Sequence, residues 1–162
     1  LSPTAMQSLY HPDGDKASAR AAEKFGTIYS MSTMASFSIE EIANLSSGPK
    51  IFQLYIHKDQ SITNDLIDRC KRANFNGMCI TVDTIVAGNR ERDHRTGFTT
   101  PPKFTLDSLM SFAMRPQWVF NYFTHKKFEL ANLKDKVDKG TNIAQSVMGY
   151  INEQYDLSLI HI

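Results

Sequence analysis

The chain has 162 residues, of which 41% are hydrophobic, so it is long enough and apolar enough for a globular domain and is not a disordered segment. Its 18 lysines and arginines are matched by 17 acidic residues and are scattered along the sequence, which removes any global electrostatic argument for a nucleic-acid-binding protein. No apolar run in the sequence approaches the ~20 residues that a membrane-spanning helix needs.

The first predicted elements are a helix followed by a strand. The Ala-rich segment 14–26 has the composition of a helix, with Asp15 as the expected N-cap and Gly26 as the expected stop. The run at 27–32 is short, apolar and partly β-branched, which predicts a strand. This pair of elements begins an alternation that continues to about residue 84.

The next predicted elements repeat the same alternation. Ser38 is followed three residues later by Glu41, which is the capping-box spacing and predicts the start of a second helix. The segment 49–57 predicts the second strand, entered after a Ser-Ser-Gly-Pro turn. The segment 61–75 has apolar residues at helical spacing and predicts a third helix, with Ser61 as its candidate cap.

A third strand is predicted at 77–83 and completes the pattern. Apolar strands separated by helices indicate βαβ units and a parallel sheet buried on both faces, so the fold class is α/β. Two architectures have this alternation, the doubly wound sheet and the (β/α)8 barrel. The local pattern alone does not separate them.

Phosphate-binding motifs and strand ends favour the barrel. Neither G-x-G-x-x-G nor G-x-x-x-x-G-K-[ST] follows any predicted strand, so the fingerprints of nucleotide-binding doubly wound sheets are absent from the sequence. The predicted strands instead end in polar residues, and in a barrel the carboxyl ends of the strands carry the active site. These strand-end residues are Ser32, Gln53, Tyr55, Thr81 and Asp83.

A charged run follows the third predicted strand. Arg90 lies a short loop beyond the strand end, where its guanidinium is placed to bind a carboxylate through two parallel hydrogen bonds. Its neighbours are interpreted as the start of a solvated loop with ion pairs among Glu91, Arg92, Asp93, His94 and Arg95.

The cysteines and the remaining histidines suggest no further chemistry. Cys70 and Cys79 have neither metal-ligand nor disulfide spacing, and we interpret both as reduced thiols that pack as small hydrophobic groups. No metal site is expected. No role is assigned to His11, His57, His125 and His161.

The alternation stops after residue 95. Two short helices are predicted at 106–114 and 117–124, and a final amphipathic helix at 140–154. The region 97–130 is rich in aromatic residues flanked by basic ones, which allows two interpretations: peripheral contact with a membrane surface, or a subunit or domain contact that buries the aromatic rings. The aromatic residues are Phe104, Phe112, Trp118, Phe120, Tyr122, Phe123 and Phe128.

Three segments together resemble one enzyme family. "SPTAMQSLYHPDGDKASARAAEKFGTIYSMST", "FQLYIHKD" and "TVDTIVAGNRERDHRTGF" are similar to the FMN-dependent 2-hydroxy-acid oxidases and dehydrogenases. The segments "GNRERDHRTGF" and "RPQWVFNYFTHKKFELANL" are most similar to the L-lactate dehydrogenases of that family. The resemblance implies a partial (β/α)8 barrel over residues 1–156, roughly strands 1–4 with a long insertion after strand 4. Residues 157–162 depart from it and are expected to be a truncated or non-native tail.

The resemblance also implies roles for individual residues. Tyr55 and Arg90 match the family's substrate-binding residues, and Met34 stands at a substrate-side position where some members have Trp. The histidine base, a second arginine and the phosphate-binding loops belong to later strands of the family barrel, and nothing here matches them. The residues that match FMN contacts are Pro3, Thr4, Ala5, Ser32, Gln53 and Thr81.

The implied reaction is FMN-dependent oxidation of an L-2-hydroxy acid, with L-lactate to pyruvate as the expected case and a quinone or cytochrome as the respiratory acceptor. The implied setting is a homo-oligomer in the cytoplasm, or attached peripherally to the inner membrane. The alternative from another class is a non-catalytic half-barrel that associates with a protein or a membrane through its aromatic and basic insertion. An isolated half-barrel exposes strand edges, so we expect the chain alone to be unstable and inactive.

Overall fold

A computed structural model describes residues 1–82, 91–96, 106–125 and 129–134. After a 3₁₀ turn at Gln7–Leu9, the helices are α1 (Gly14–Lys24), α2 (Ile39–Leu45), α3 (Gln60–Arg72), α4 (Glu91–Thr96), α5 (Leu106–Ala113) and α6 (Pro116–Thr124). The strands are β1 (Tyr29–Ser32), β2 (Lys50–Tyr55) and β3 (Gly77–Thr81). The helix predicted at 140–154 lies outside the described residues.

In the described part of the chain, the strands form a parallel sheet in the order β1-β2-β3. α1 contacts α2, and α2 contacts α3, so these helices lie side by side on one face of the sheet. Sequential parallel strands with their crossover helices on a single face are the arrangement of a barrel segment, because a doubly wound sheet carries helices on both faces. The predicted α/β class and parallel sheet are confirmed.

Leu1 pairs with the outer edge of β1. Its nitrogen donates to the Ile28 carbonyl (2.6 Å), and the Ser30 N–H donates to the Leu1 carbonyl (3.1 Å). This is the slanted bonding pattern of a parallel neighbour. Leu1 therefore lies where the resemblance places the barrel's first strand, and β1, β2 and β3 take the second, third and fourth positions.

Alternate residues of β1 and β2 face the helices and form the core. Tyr29, Met31, Phe52 and Leu54 are at most 1% exposed. Because side chains alternate across a strand, the residues between them point to the opposite face of the sheet. The helices contribute to the same apolar cluster through Ala19, Ala22, Ile39, Ile42, Ile62 and Leu66.

Burial decreases across the sheet. β1 and β2 are largely buried, whereas Cys79 and Ile80 of β3 are exposed, so the predicted burial on both faces fails for β3. The interpretation of Cys79 as a packed thiol is wrong for the same reason. Cys70 does pack in the core as a free thiol, and burial raises its pKa to about 12.

The start of α1 differs from the prediction. Asp13, and not Asp15, is the residue before the helix, and the Asp15 carboxylate is fully buried instead. The chain turns tightly into the helix at Gly14, where φ is +36° and an added Cβ would lie 2.8 Å from the Ser8 nitrogen. This close approach turns position 15 toward the core. The predicted stop is confirmed, since Gly26 has a φ of +62°.

The predicted start of α2 is confirmed, and the predicted cap of α3 is wrong. At α2 the capping box is present: the Ser38 hydroxyl accepts the Glu41 N–H (3.1 Å), and the Glu41 carboxylate accepts the Ser38 N–H (2.9 Å). At α3 the cap is Asp59, whose carboxylate accepts the Ser61 N–H (2.8 Å), so Ser61 is not the cap. A carboxylate two residues earlier satisfies the first helical N–H groups before Ser61 is reached.

Most of the described part of the insertion is helical. α5 and α6 confirm the helices predicted at 106–114 and 117–124. α4 occupies part of the expected loop, and its exposed Arg95–Glu91 ion pair (3.3 Å) confirms the solvated interpretation of those two residues. The chain then returns to the core at Leu130 and Leu133, which are buried.

Candidate active site

Three polar side chains form a hydrogen-bonded row across the carboxyl ends of the strands. Ser32 is paired with Gln53, and Tyr55 with Thr81, so residues 32, 53 and 81 point to the face away from the helices. The Ser32 hydroxyl donates to Gln53 Oε1 (3.2 Å), and Gln53 Nε2 donates to Thr81 Oγ1 (2.5 Å). The parallel register therefore joins three sequence-predicted cofactor residues.

These bonds fix the Gln53 amide and leave defined donors. The Gln53 side chain is buried, with its oxygen and one N–H already engaged. An amide nitrogen has a second hydrogen and a hydroxyl has one, so within the described residues Gln53 Nε2 and Thr81 Oγ1 each retain a hydrogen to donate. The row thus suits a flat ligand whose edge carries carbonyl oxygens and ring nitrogens, as the flavin ring of FMN does.

Tyr55 lies on the same face as the row, at the end of β2. Its ring is half-buried, and it packs against the apolar cluster beneath. Its backbone N–H donates to Thr33 Oγ1 (3.1 Å). A half-buried phenol with apolar support has a rigid body and a polar group, which is the combination needed to orient a small polar substrate.

The N-terminal segment reaches the same end of the sheet. Leu1 pairs beside β1, and the Met6 N–H donates to the Met34 carbonyl (3.0 Å) just beyond the end of β1. Pro3 and Thr4 between these points are exposed, and Ala5 is half-buried against the core cluster. The segment therefore lies on the β1 side of the polar row, and its contact with FMN stays a prediction.

Three further sequence-predicted positions are not part of the row. Arg90 and Asp83 lie outside the described residues, so the place of the predicted carboxylate-binding guanidinium stays a prediction. Met34 is 7% exposed and belongs to the apolar core cluster, with its N–H donating to Ser32 Oγ (3.2 Å). It thus lies directly beside the row, and its side chain is packed and not solvated.

Sequence reasoning missed two buried polar residues, one directly after β1 and one shortly after β2. Thr33 is fully buried and bonds to the backbone of β2, although a hydroxyl directly after a strand gives little warning of such a bond. His57 is 1% exposed, and neither ring nitrogen has a hydrogen-bond partner within the part of the chain that the structure describes. Burial lowers the pKa of His57, against an opposing effect from Asp59.

The chain and its fold match a known family of enzymes and a solved structure. The model of the FMN-dependent dehydrogenase family matches residues 1–160. A solved structure of the monotopic membrane protein (S)-mandelate dehydrogenase aligns with a TM-score of 0.87 and 26% identity, covering 98% of this chain and 42% of that one. The fold is therefore part of a (β/α)8 barrel, as predicted.

Sequence relatives agree with the structural match. Glycolate oxidase 1 of Zea mays is 45% identical over 109 residues, which are 67% of this chain and 30% of that protein. Glycolate oxidase 3 of Oryza sativa subsp. indica is 35% identical over 159 residues, which are 98% of this chain and 37% of that protein. This chain belongs to the FMN-dependent 2-hydroxy-acid oxidase and dehydrogenase family, whose cofactor is FMN. It spans about a third of the length of these relatives.

Proposed function

We propose that the chain forms the flavin-facing strands of an enzyme that oxidises an L-2-hydroxy acid, with L-lactate converted to pyruvate as the preferred reaction. The observation that carries the proposal is the Ser32–Gln53–Thr81 row with Tyr55 on the same face. Relatives named for glycolate and mandelate support the substrate class, because both compounds are 2-hydroxy acids.

The residues of the proposed site divide into those that hold the flavin ring and those that bind the substrate. The row and the segment Pro3–Ala5 hold the flavin ring, which when bound accepts the two electrons of the oxidation. The Tyr55 phenol donates a hydrogen bond to the substrate. The Arg90 guanidinium binds the substrate carboxylate through two parallel hydrogen bonds. These groups orient C2 of the substrate toward the ring, so their contribution is positioning and charge complementarity.

The substrate preference is tested by comparing kcat/KM for L-lactate, glycolate and (S)-mandelate. The enzyme for this test is the whole protein expressed from the uninterrupted reading frame that contains this chain. We expect L-lactate to exceed glycolate by about 10-fold, the discrimination that the contacts of one methyl group provide, and to exceed (S)-mandelate as well. D-lactate is the matched control, and it should give no turnover. Turnover of (S)-mandelate faster than L-lactate would contradict the assignment of substrate and leave the reaction class intact.

We further infer that the α5–α6 pair lies on the cytoplasmic surface of the inner membrane. A quinone or cytochrome takes up the electrons there. The enzyme works as a homo-oligomer. No helix in the described ranges is long and apolar enough to cross a bilayer. Yet the pair exposes large apolar side chains, with Met110 67%, Phe120 66% and Phe123 80% accessible. A monotopic membrane protein among the structural neighbours supports this inference.

The opposite side of α6 is already occupied. Trp118 Nε1 donates to the Leu9 carbonyl (2.8 Å), and its ring stacks between Phe112 and Tyr122, with 5.2 Å between centroids on each side. Trp118 thus binds the α5–α6 pair to the segment that contains Leu9, and the Phe120 and Phe123 side chains point outward. Basic groups at the ends of α6, Arg115 and His125, are exposed and suit anionic headgroups.

Replacing both Phe120 and Phe123 by serine is expected to weaken binding to phosphatidylglycerol vesicles by about 100-fold, since two aromatic side chains no longer enter the interface. Co-sedimentation measures this binding. Phe25→Ser is the matched control, because Phe25 is 78% exposed at the end of α1, away from the helix pair. Unchanged vesicle binding together with a lower oligomer mass would show instead that the two rings form a subunit contact.

A further inference from the structure

Thr33 lies where β1 leaves the sheet and β2 continues without it. β1 ends at Ser32, and the Ala35 N–H donates to the Ser32 carbonyl (3.1 Å), which turns the chain away. β2 runs two residues past the Ser32–Gln53 pair, to Tyr55. The end of β2 therefore needs another acceptor on this side, because a buried N–H without a partner is strongly unfavourable.

The Thr33 side chain supplies that acceptor. The Thr33 N–H and hydroxyl both donate to the Gln53 carbonyl (3.0 and 2.6 Å), and the same hydroxyl oxygen accepts the Tyr55 N–H (3.1 Å). In a regular parallel ladder, the Tyr55 N–H would donate to the Thr33 carbonyl. The hydroxyl takes its place, and the side chain is 0% exposed, so water does not compete for the bond.

We propose that Thr33 is a positioning residue for Tyr55. Its hydroxyl oxygen holds the backbone on both sides of Leu54, between the proposed flavin contact Gln53 and the proposed substrate contact Tyr55. The two backbone groups are not equally dependent on it. Gln53 keeps the Thr33 N–H as a second donor, whereas the Tyr55 N–H has this hydroxyl as its acceptor. Loss of the hydroxyl therefore acts on the phenol that binds substrate more than on the amide that binds FMN.

This inference rests on the proposed function and adds a residue to which the family resemblance gives no role. The competing explanation is that Thr33 only stabilises the fold. The two explanations differ in what they expect of a folded variant: a purely structural residue changes the amount or stability of enzyme, whereas a positioning residue changes kcat/KM in the enzyme that is folded and loaded with FMN.

Thr33→Val is nearly isosteric and removes only the hydroxyl, and Thr33→Ser is the matched control that keeps it. In the protein from the uninterrupted reading frame, we expect Thr33→Val to lower kcat/KM for L-lactate about 10-fold, the effect of losing one buried hydrogen bond at the site. The dissociation constant for FMN should change less than about 3-fold, because Gln53 keeps its second donor. Thr33→Ser should stay within about 2-fold of wild type in both quantities.

A double-mutant cycle with Tyr55→Phe tests whether Thr33 acts through the phenol. If it does, Thr33→Val lowers kcat/KM by less than about 2-fold once the phenol is gone. Amide hydrogen exchange at Tyr55 provides a readout independent of turnover, and it should become about 10-fold faster in Thr33→Val and stay unchanged in Thr33→Ser. If the valine variant does not fold, Thr33→Ala enters the same cycle.

The possible outcomes separate the two proposals. Wild-type protein without FMN or turnover would overturn the proposed function, and the role of Thr33 would fall with it. A wild type that works, with Thr33→Val equal to it in kcat/KM or with independent effects in the cycle, would overturn the positioning role alone.

Discussion

Replacement of Gln53 by leucine is expected to weaken FMN binding about 100-fold, the effect of losing two to three hydrogen bonds in a buried site. Leucine removes the amide that joins Ser32 to Thr81 and leaves both hydroxyl groups without their central partner. It also removes the second N–H of Gln53 Nε2, which is the group proposed to bind the flavin ring. Fluorescence titration of the apo-protein with FMN measures the change.

Gln60→Leu is the matched control for this experiment. It makes the same chemical change on an exposed side chain at the start of α3, whose one described bond is a long contact to the His57 carbonyl (3.4 Å). FMN affinity should be that of the wild type. If Gln53→Leu binds FMN as tightly as Gln60→Leu, the row does not hold the flavin and the proposed cofactor site is wrong.

Replacement of Asp15 by alanine is expected to lower the free energy of unfolding by about 3 kcal/mol, because it leaves buried polar groups without partners. The Asp15 carboxylate accepts the Tyr29 hydroxyl (3.1 Å) and the Ser36 N–H (2.9 Å). Ser36 in turn accepts the Ser8 N–H (3.1 Å), so the N-terminal segment is tied to the same network. Denaturant unfolding of the protein from the uninterrupted reading frame measures the loss.

Asp13→Ala is the control, since Asp13 is exposed and its side chain caps no helix N–H. It should change the free energy of unfolding by less than about 0.5 kcal/mol. An equal loss in both variants would show that the buried network is not what stabilises this end of the sheet.

The pH dependence of the Asp15 effect has a definite sign. Burial, the largest influence, raises the pKa of Asp15 above its ordinary 3.8, against the lowering effect of its hydrogen bonds. Between pH 3.8 and the raised pKa, the native state keeps a proton that the unfolded chain has lost. The free energy of unfolding therefore falls as pH rises through the raised pKa. The advantage of wild type over Asp15→Ala should accordingly be largest below pH 3.8 and smaller above the raised pKa.

The sequence predicted what local rules determine. Period-two alternation and the parallel order of strands were enough to bring Ser32, Gln53 and Thr81 to one face, and capping-box spacing was enough for α2. These features depend on neighbours within a few residues or on a single register, and both can be inferred from the pattern of side chains.

The features that were missed depend on tertiary packing. Asp15 is buried because the chain folds closely over Gly14, and Cys79 is exposed because β3 lies at the edge of the described sheet. Thr33 replaces a ladder bond only because β1 diverges from β2 at that point. No periodicity encodes these events, since each requires the position of a second element in space.

Anaerobic mixing of the protein from the uninterrupted reading frame with L-lactate tests whether this chain is part of an enzyme that reduces FMN with a 2-hydroxy acid. We expect about one flavin per chain in the purified protein and loss of its visible absorbance on adding L-lactate, with no loss on adding D-lactate. A protein that purifies without flavin, or whose flavin keeps its absorbance with every 2-hydroxy acid tried, would contradict it.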